Sequence, residues 1–189
     1  MDSRIRILGQ GAADEPDFSL IDPRLKGVVR YADPAAWTMA TAAALALGEH
    51  RTQFLAAQQR AGVIAVSDDG PLETMGTVAT AAAGGFSSPL RYPAANPGSL
   101  AGVTCILFGC MGPTMNLILT PQRGAPVGLL LAEGWLLRGA AAWMLVTTCR
   151  RLPSGQHAAR CLLLGGAETA GVSVAANVPP SHWLSMTDV

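Results

Sequence analysis

Strand-like and helix-like segments alternate along this chain, which predicts an α/β protein with one mixed, mostly parallel five-stranded sheet and helices on both faces. Three observations carry that prediction. The run Ala61-Gly62-Val63-Ile64-Ala65-Val66-Ser67 is continuous, apolar and rich in β-branched residues, as a strand buried on both faces must be. Asp33-Pro34 stands ahead of Ala35–Leu47 and offers an N-cap with proline at the first helical position; the apolar residues beyond it keep helical spacing until Gly48. The order of elements reads βαβαβαββ, in which parallel strands are joined by crossover helices and the last strand is antiparallel.

In chain order, Ile5–Leu8 is a short apolar run that Gly9 stops, and it predicts the first strand. A loop punctuated by Pro16 and Pro23 follows to about Tyr31, then the helix Ala35–Leu47 and the buried strand Ala61–Ser67. Asp68-Asp69-Gly70-Pro71 turns the chain into a helix over Leu72–Ala83, which Gly84-Gly85 breaks. After a proline-rich loop to Pro97, Ser99–Phe108 is a further helix. Met115–Leu119 is the next strand, Thr120–Gly124 a sharp turn, and Pro126–Arg138 a helix with apolar residues at three and four. Ala141–Thr147 and Arg160–Leu164 are strands joined through Pro153-Ser154-Gly155, close enough to pair antiparallel. Residues 166–189, with Pro179-Pro180, form an irregular tail.

The expected organisation is a single domain over residues 1–189, long enough to bury roughly 70% of its unfolded surface. Half of the residues are hydrophobic, only 14% are charged and the mean hydropathy is +0.32, more apolar surface than a small monomer hides, so an oligomer is expected. Thirteen basic and thirteen acidic residues cancel, which leaves no basic face for nucleic acid or anionic lipid. The apolar stretches Ala101–Leu119 and Ala125–Val146 are interrupted by glycine, proline, Glu133 and Arg138, short of the about 20 apolar residues of a membrane span. Cys105, Cys110, Cys149 and Cys161 lack metal or redox spacing, and no signal peptide is legible, so free thiols, a cytoplasmic location and no metal or cofactor are expected. Gly9-Gln10-Gly11 lacks the third glycine of a dinucleotide loop.

Four local patterns between Tyr31 and Thr148 resemble the N-terminal domain of β-ketoacyl synthases, including their chain-length-factor and aryl-polyene relatives. They are Asp33-Pro34-Ala35-Ala36-Trp37 with its alanine-rich helix, Gly62–Ser67 with Gly70, Ser87-Ser88-Pro89 followed by Asn96-Pro97-Gly98-Ser99-Leu100-Ala101-Gly102, and Gly112-Pro113 before a strand. The resemblance implies a single thiolase-like half. It also implies an elbow after the strand Met115, Asn116, Leu117, Ile118 and Leu119, where an active synthase lifts a cysteine to a helix N-terminus. Counting from Gly112-Pro113, the elbow is Thr120, Pro121 and Gln122, and the cysteine's place falls on Pro121. Chain-length-factor relatives have glutamine there, and a one-residue shift would bring Gln122 to it.

Proline carries no nucleophile, and the histidine pair of active synthases belongs to a second half that this sequence does not contain. His50 reads as a solvated residue past a helix end, His157 lies in a polar connection and His182 in the tail. Cys110, before Gly112-Pro113, and Cys149, beside Arg150-Arg151, are the remaining candidate nucleophiles. Asp68-Asp69 reads as a turn cap. Two functions follow. One is a non-catalytic accessory or partner subunit in polyketide, fatty-acid or aryl-polyene biosynthesis, pairing through Met115–Leu119 as a homodimer or with a complete ketosynthase and binding an acyl thioester or acyl carrier protein. The other is an acyltransferase, cyclase or hydrolase that uses Cys110 or Cys149.

Overall fold

A computed structural model describes residues 6–86, 88–166, 169 and 184; the expected tail and His182 lie almost wholly outside them. Five strands form one sheet: β1 (Arg6–Ala13), β2 (Ala61–Ser67), β3 (Thr114–Leu117), β4 (Trp143–Arg151) and β5 (His157–Gly165). Their spatial order is β1-β5-β4-β2-β3. β2 runs parallel to both β3 and β4, while β5 is antiparallel to both β4 and β1. One strand is therefore reversed, and it is the last. The helices are α1 (Pro23–Lys26), α2 (Pro34–Leu47), α3 (Arg51–Ala56), α4 (Leu72–Ala83), α5 (Ser99–Phe108) and α6 (Pro121–Leu137). No described helix is long and apolar enough to cross a membrane.

The two faces of the sheet carry separate cores. On one, α2 and α5 pack against Val63, Ala65, Leu145 and Leu163; on the other, α6 packs against Ile64, Val66, Met144 and Leu162. Alternate residues of one strand thus feed opposite cores, which is why β2 contains no exposed position. α2 sits directly on β1. A side chain at Gly9 would overlap the Ala46 carbonyl, and one at Gly11 the Ala42 carbonyl, so these glycines let strand and helix backbones touch. That contact, not a ligand, accounts for Gly9-Gln10-Gly11.

Several expectations are corrected here. β1 does not stop at Gly9 but continues to Ala13, because its glycines are packing positions rather than turn positions. β3 ends at Leu117, so Ile118 and Leu119 belong to the connection. The turn expected over Thr120–Gly124 is the start of α6: Thr120 is the extended N-cap residue and Pro121 the first helical one, where a proline costs nothing. Pro126 is carried inside the helix.

His50 is not solvated. It is 7% exposed, its ring 6.2 Å from that of Trp143, in the turn between α2 and α3. His157 is likewise buried, as the first residue of β5. His50 was expected to be solvated and His157 to lie in a polar connection; His50 is instead packed near Trp143, and His157 pairs with Arg151 in the β4–β5 ladder.

Candidate functional site

β2, β3 and β4 are parallel, so their carboxyl ends open on the same edge of the sheet, where α/β proteins gather their chemistry. Thr120 and Pro121 follow β3 there. Thr120 is exposed, Pro121 buried and Gln122 exposed. The amides of Arg123 and Gly124 donate to the Thr120 carbonyl at 3.0 and 2.8 Å, and the Thr120 side chain makes no capping bond. The elbow is held down from below: a Cβ at Gly124 would run into Val66 of β2. The residue lifted into this seat is a proline, which offers neither nucleophile nor N–H.

The approach to β3 is equally constrained. Gly112 donates to the Ala61 carbonyl at 2.9 Å, and Val63 donates to the Pro113 carbonyl at 3.0 Å, so Gly112-Pro113 threads the chain into pairing with β2. Asn116, the one polar residue in Met115–Leu119, turns its side chain to α5. Its Oδ1 accepts from the Ala101 amide at 3.0 Å, a helix cap supplied by a strand.

Asp33 does more than its sequence context shows. One carboxylate oxygen accepts from the Ala35 amide at 2.9 Å and the other from the Thr74 amide at 2.9 Å, so a single fully buried side chain caps both α2 and α4. Asp68 accepts from the amide of its neighbour Asp69, as a turn cap does. Ser67, buried at the end of β2, accepts from the Gly70 amide at 3.2 Å.

The cysteines separate into two kinds. Cys149 is wholly buried in β4. Burial first, and then the negative charges of Asp33, Asp68 and Asp69, push its thiol up, the opposite of the activation expected from Arg150-Arg151. Cys161 is also wholly buried, and burial drives its thiol up to about 12. Cys105 and Cys110 are only partly buried, and their thiols act on each other. That interaction, with a contact from the Thr114 hydroxyl at 3.5 Å, lowers Cys105 to about 7. The same interaction, with burial, raises Cys110.

Of the two, Cys105 has the extra contact, from the Thr114 hydroxyl. It escapes the sequence because its neighbours on α5 are apolar. It lies beside Thr114 at the amino end of β3, one strand length of more than about 10 Å from the elbow at the other end. Neither member of the pair stands beside Pro121. Among the described residues no group of three or more His, Cys, Asp or Glu could hold a metal ion.

No protein-family model and no curated protein sequence matches this chain. Solved structures do. The ishigamide ketosynthase/chain length factor is 16% identical with a TM-score of 0.67, covering 94% of this chain and 64% of its own. A type II polyketide synthase acyl carrier protein in complex with its hexaketide-bound ketosynthase is also 16% identical, with a TM-score of 0.69, covering 90% of this chain and 64% of its own. A ketosynthase in complex with its chain length factor from Xenorhabdus doucetiae is 14% identical, with a TM-score of 0.59, covering 86% and 79%. This chain thus spans about two thirds of the first and second of these proteins. At such identities the likeness is one of fold: the chain is folded as a single thiolase-like half of the kind found in ketosynthases and chain length factors.

Proposed function

We propose that this chain is a non-condensing, ketosynthase-like partner subunit of a polyketide, fatty-acid or aryl-polyene pathway, cytoplasmic, acting by dimerisation and by binding an acyl chain or its carrier protein. The observation that carries this reading is the elbow: its seat on Val66 is intact, and the residue in it is buried Pro121. A second observation supports a mode of action. Among the described residues β3 is an edge strand, bonded on one side to β2, and an open edge is a template for a further strand. Antiparallel pairing of Thr114–Leu117 with a second copy or with a complete ketosynthase would extend the sheet across the two subunits. That solved proteins of this fold include a ketosynthase with its chain length factor and one with its carrier protein supports the choice of partner.

The test is light scattering of the purified chain, alone and mixed with a ketosynthase, repeated with Leu117→Pro, which removes a ladder donor. Loss of the complex with helical circular dichroism retained is expected. An unaltered complex would move the interface elsewhere. Pro121→Cys is expected to gain no decarboxylative condensation, since a thiol without acid–base partners lacks a contribution typically worth about 10² to 10⁴-fold.

The Thr114 hydroxyl beside partly buried Cys105 favours one further reading, an acyltransferase, cyclase or hydrolase that acts through Cys105 rather than Cys110 or Cys149. Incubation with acyl thioesters and intact-mass measurement separates the two: a stable acyl adduct on Cys105 would overturn the partner-subunit reading, and an unmodified chain supports it.

A further inference from the structure

The entry to β3 holds two partly buried thiols that neither the elbow nor the edge strand uses. α5 ends at Phe108, and Gly109 follows in the left-handed region at φ 66°. The Cys110 amide then donates back to the Cys105 carbonyl at 3.0 Å, and the Gly109 amide donates to the same oxygen. This is the closed C-terminal loop that brings the residue after the glycine over the last helical turn. With ordinary backbone bond lengths, the Cys110–Cys105 bond holds their Cα atoms within about 7 Å, and bending at the oxygen shortens this into the range of about 4.4 to 6.8 Å that a disulfide spans. The two thiols, both partly buried at this loop, also act on each other electrostatically.

We propose that Cys105 and Cys110 are a redox-active dithiol, a modification site that a low-molecular-weight disulfide converts into an intramolecular Cys105–Cys110 bridge. The Cys105 thiolate attacks one sulfur of the reagent, forming a mixed disulfide and expelling one thiolate. Cys110 then loses its proton to solvent, and its sulfur attacks that of Cys105, expelling the second. Two protein thiols are oxidised to one disulfide, and the reagent is reduced to two thiols. Cys105 attacks first because the Thr114 hydroxyl, 3.5 Å away, can donate to its thiolate. Cys149 and Cys161 are buried in the sheet and stay reduced, so the site is selective without any recognition motif. The inference is independent of the partner-subunit reading, but the two meet in space: the bridge fastens the turn that leads into Gly112-Pro113 and the open edge strand.

Oxidised glutathione is the probe, applied to the reduced, folded chain near neutral pH and followed by intact mass and peptide mapping. The expected product has lost two hydrogens, carries no glutathione, and yields a Cys105–Cys110 cross-link, with the rate of capture rising as pH increases through about 7. Cys110→Ser should stop at a glutathione adduct on Cys105, and Cys105→Ser should slow capture at least about tenfold. The wild-type map decides the matter even if a variant folds poorly. Persistent glutathione on both cysteines, a link to Cys149 or Cys161, a link between chains, or no reaction would each overturn the proposal.

Discussion

α2 and α6 begin alike, each with proline at the first helical position and each rich in small and apolar residues, yet they end in opposite environments. α2 buries 12 of its 14 residues, because β1 and the sheet lie beneath it and α5 lies against it. α6 buries 6 of its 17, and Val127, Leu130 and Leu137 face outward, Leu130 at 68% exposure. The caps differ in the same sense: a fully buried carboxylate starts α2, whereas α6 starts on a backbone carbonyl alone. One helix is a finished core element. The other is a helix with one face satisfied, and its second face mixes exposed Val127, Leu130 and Leu137 with exposed Gln122, Arg123 and Glu133.

Four substitutions sharpen this contrast, and denaturant unfolding measures each. Gly11→Val should cost more than about 3 kcal/mol, since the added carbons occupy the space of the Ala42 carbonyl and neither backbone can retreat. A loss below about 1 kcal/mol would mean that α2 slides over β1. Asp33→Ala should cost about 2 to 4 kcal/mol, because it removes the caps of two helices and leaves both amides buried; a cost near that of one exposed cap would show that α4 finds another partner. On α6 the signs change. Thr120→Asp should stabilise by about 0.5 to 1 kcal/mol, supplying a side-chain cap and a negative charge where neither exists. The gain should shrink in high salt. Leu130→Lys should alter the stability of the separated chain by no more than about 0.5 kcal/mol. A larger loss would show that the outer face of α6 is covered within the chain itself.

Much of the fold was legible because its signals are local. The seven residues of β2 declare double burial by composition, Asp33-Pro34 and Gly48 bracket α2, and Ser99–Phe108 ends at a glycine, so these three elements coincide with their expected limits or differ by one residue. The mixed sheet also follows from a simple count, since only the short hairpin through Pro153-Ser154-Gly155 can reverse a strand. The errors arise where one residue type serves two purposes. Gly9 and Gly11 resemble stops but are contact points for α2, and Pro121 resembles a breaker but is the ideal first residue of α6. At the site, counting from Gly112-Pro113 led to Thr120–Gln122, which stand at the start of α6. The second bond of Asp33 to Thr74, the burial of His50 against Trp143 and the pairing of Cys105 with Cys110 depend on distances in space that no spacing encodes.

The register of the outermost strand has a kinetic consequence. Among the described strands β1 bonds only to β5, Arg6 opposite Gly165 and Ala13 opposite Ala159, so it has no sheet partner among them until the last of the five has formed. The remaining strands close over shorter separations, and the parallel trio of β2, β3 and β4 can assemble around α5 and α6 before the hairpin is complete. Loop-closure entropy makes such a distant pairing slow. During synthesis, β1 must therefore wait with Leu8 exposed or shelter it against α2, whose backbone its glycines already fit. Of the five described strands, the one made first is the one whose hydrogen bonds are completed last.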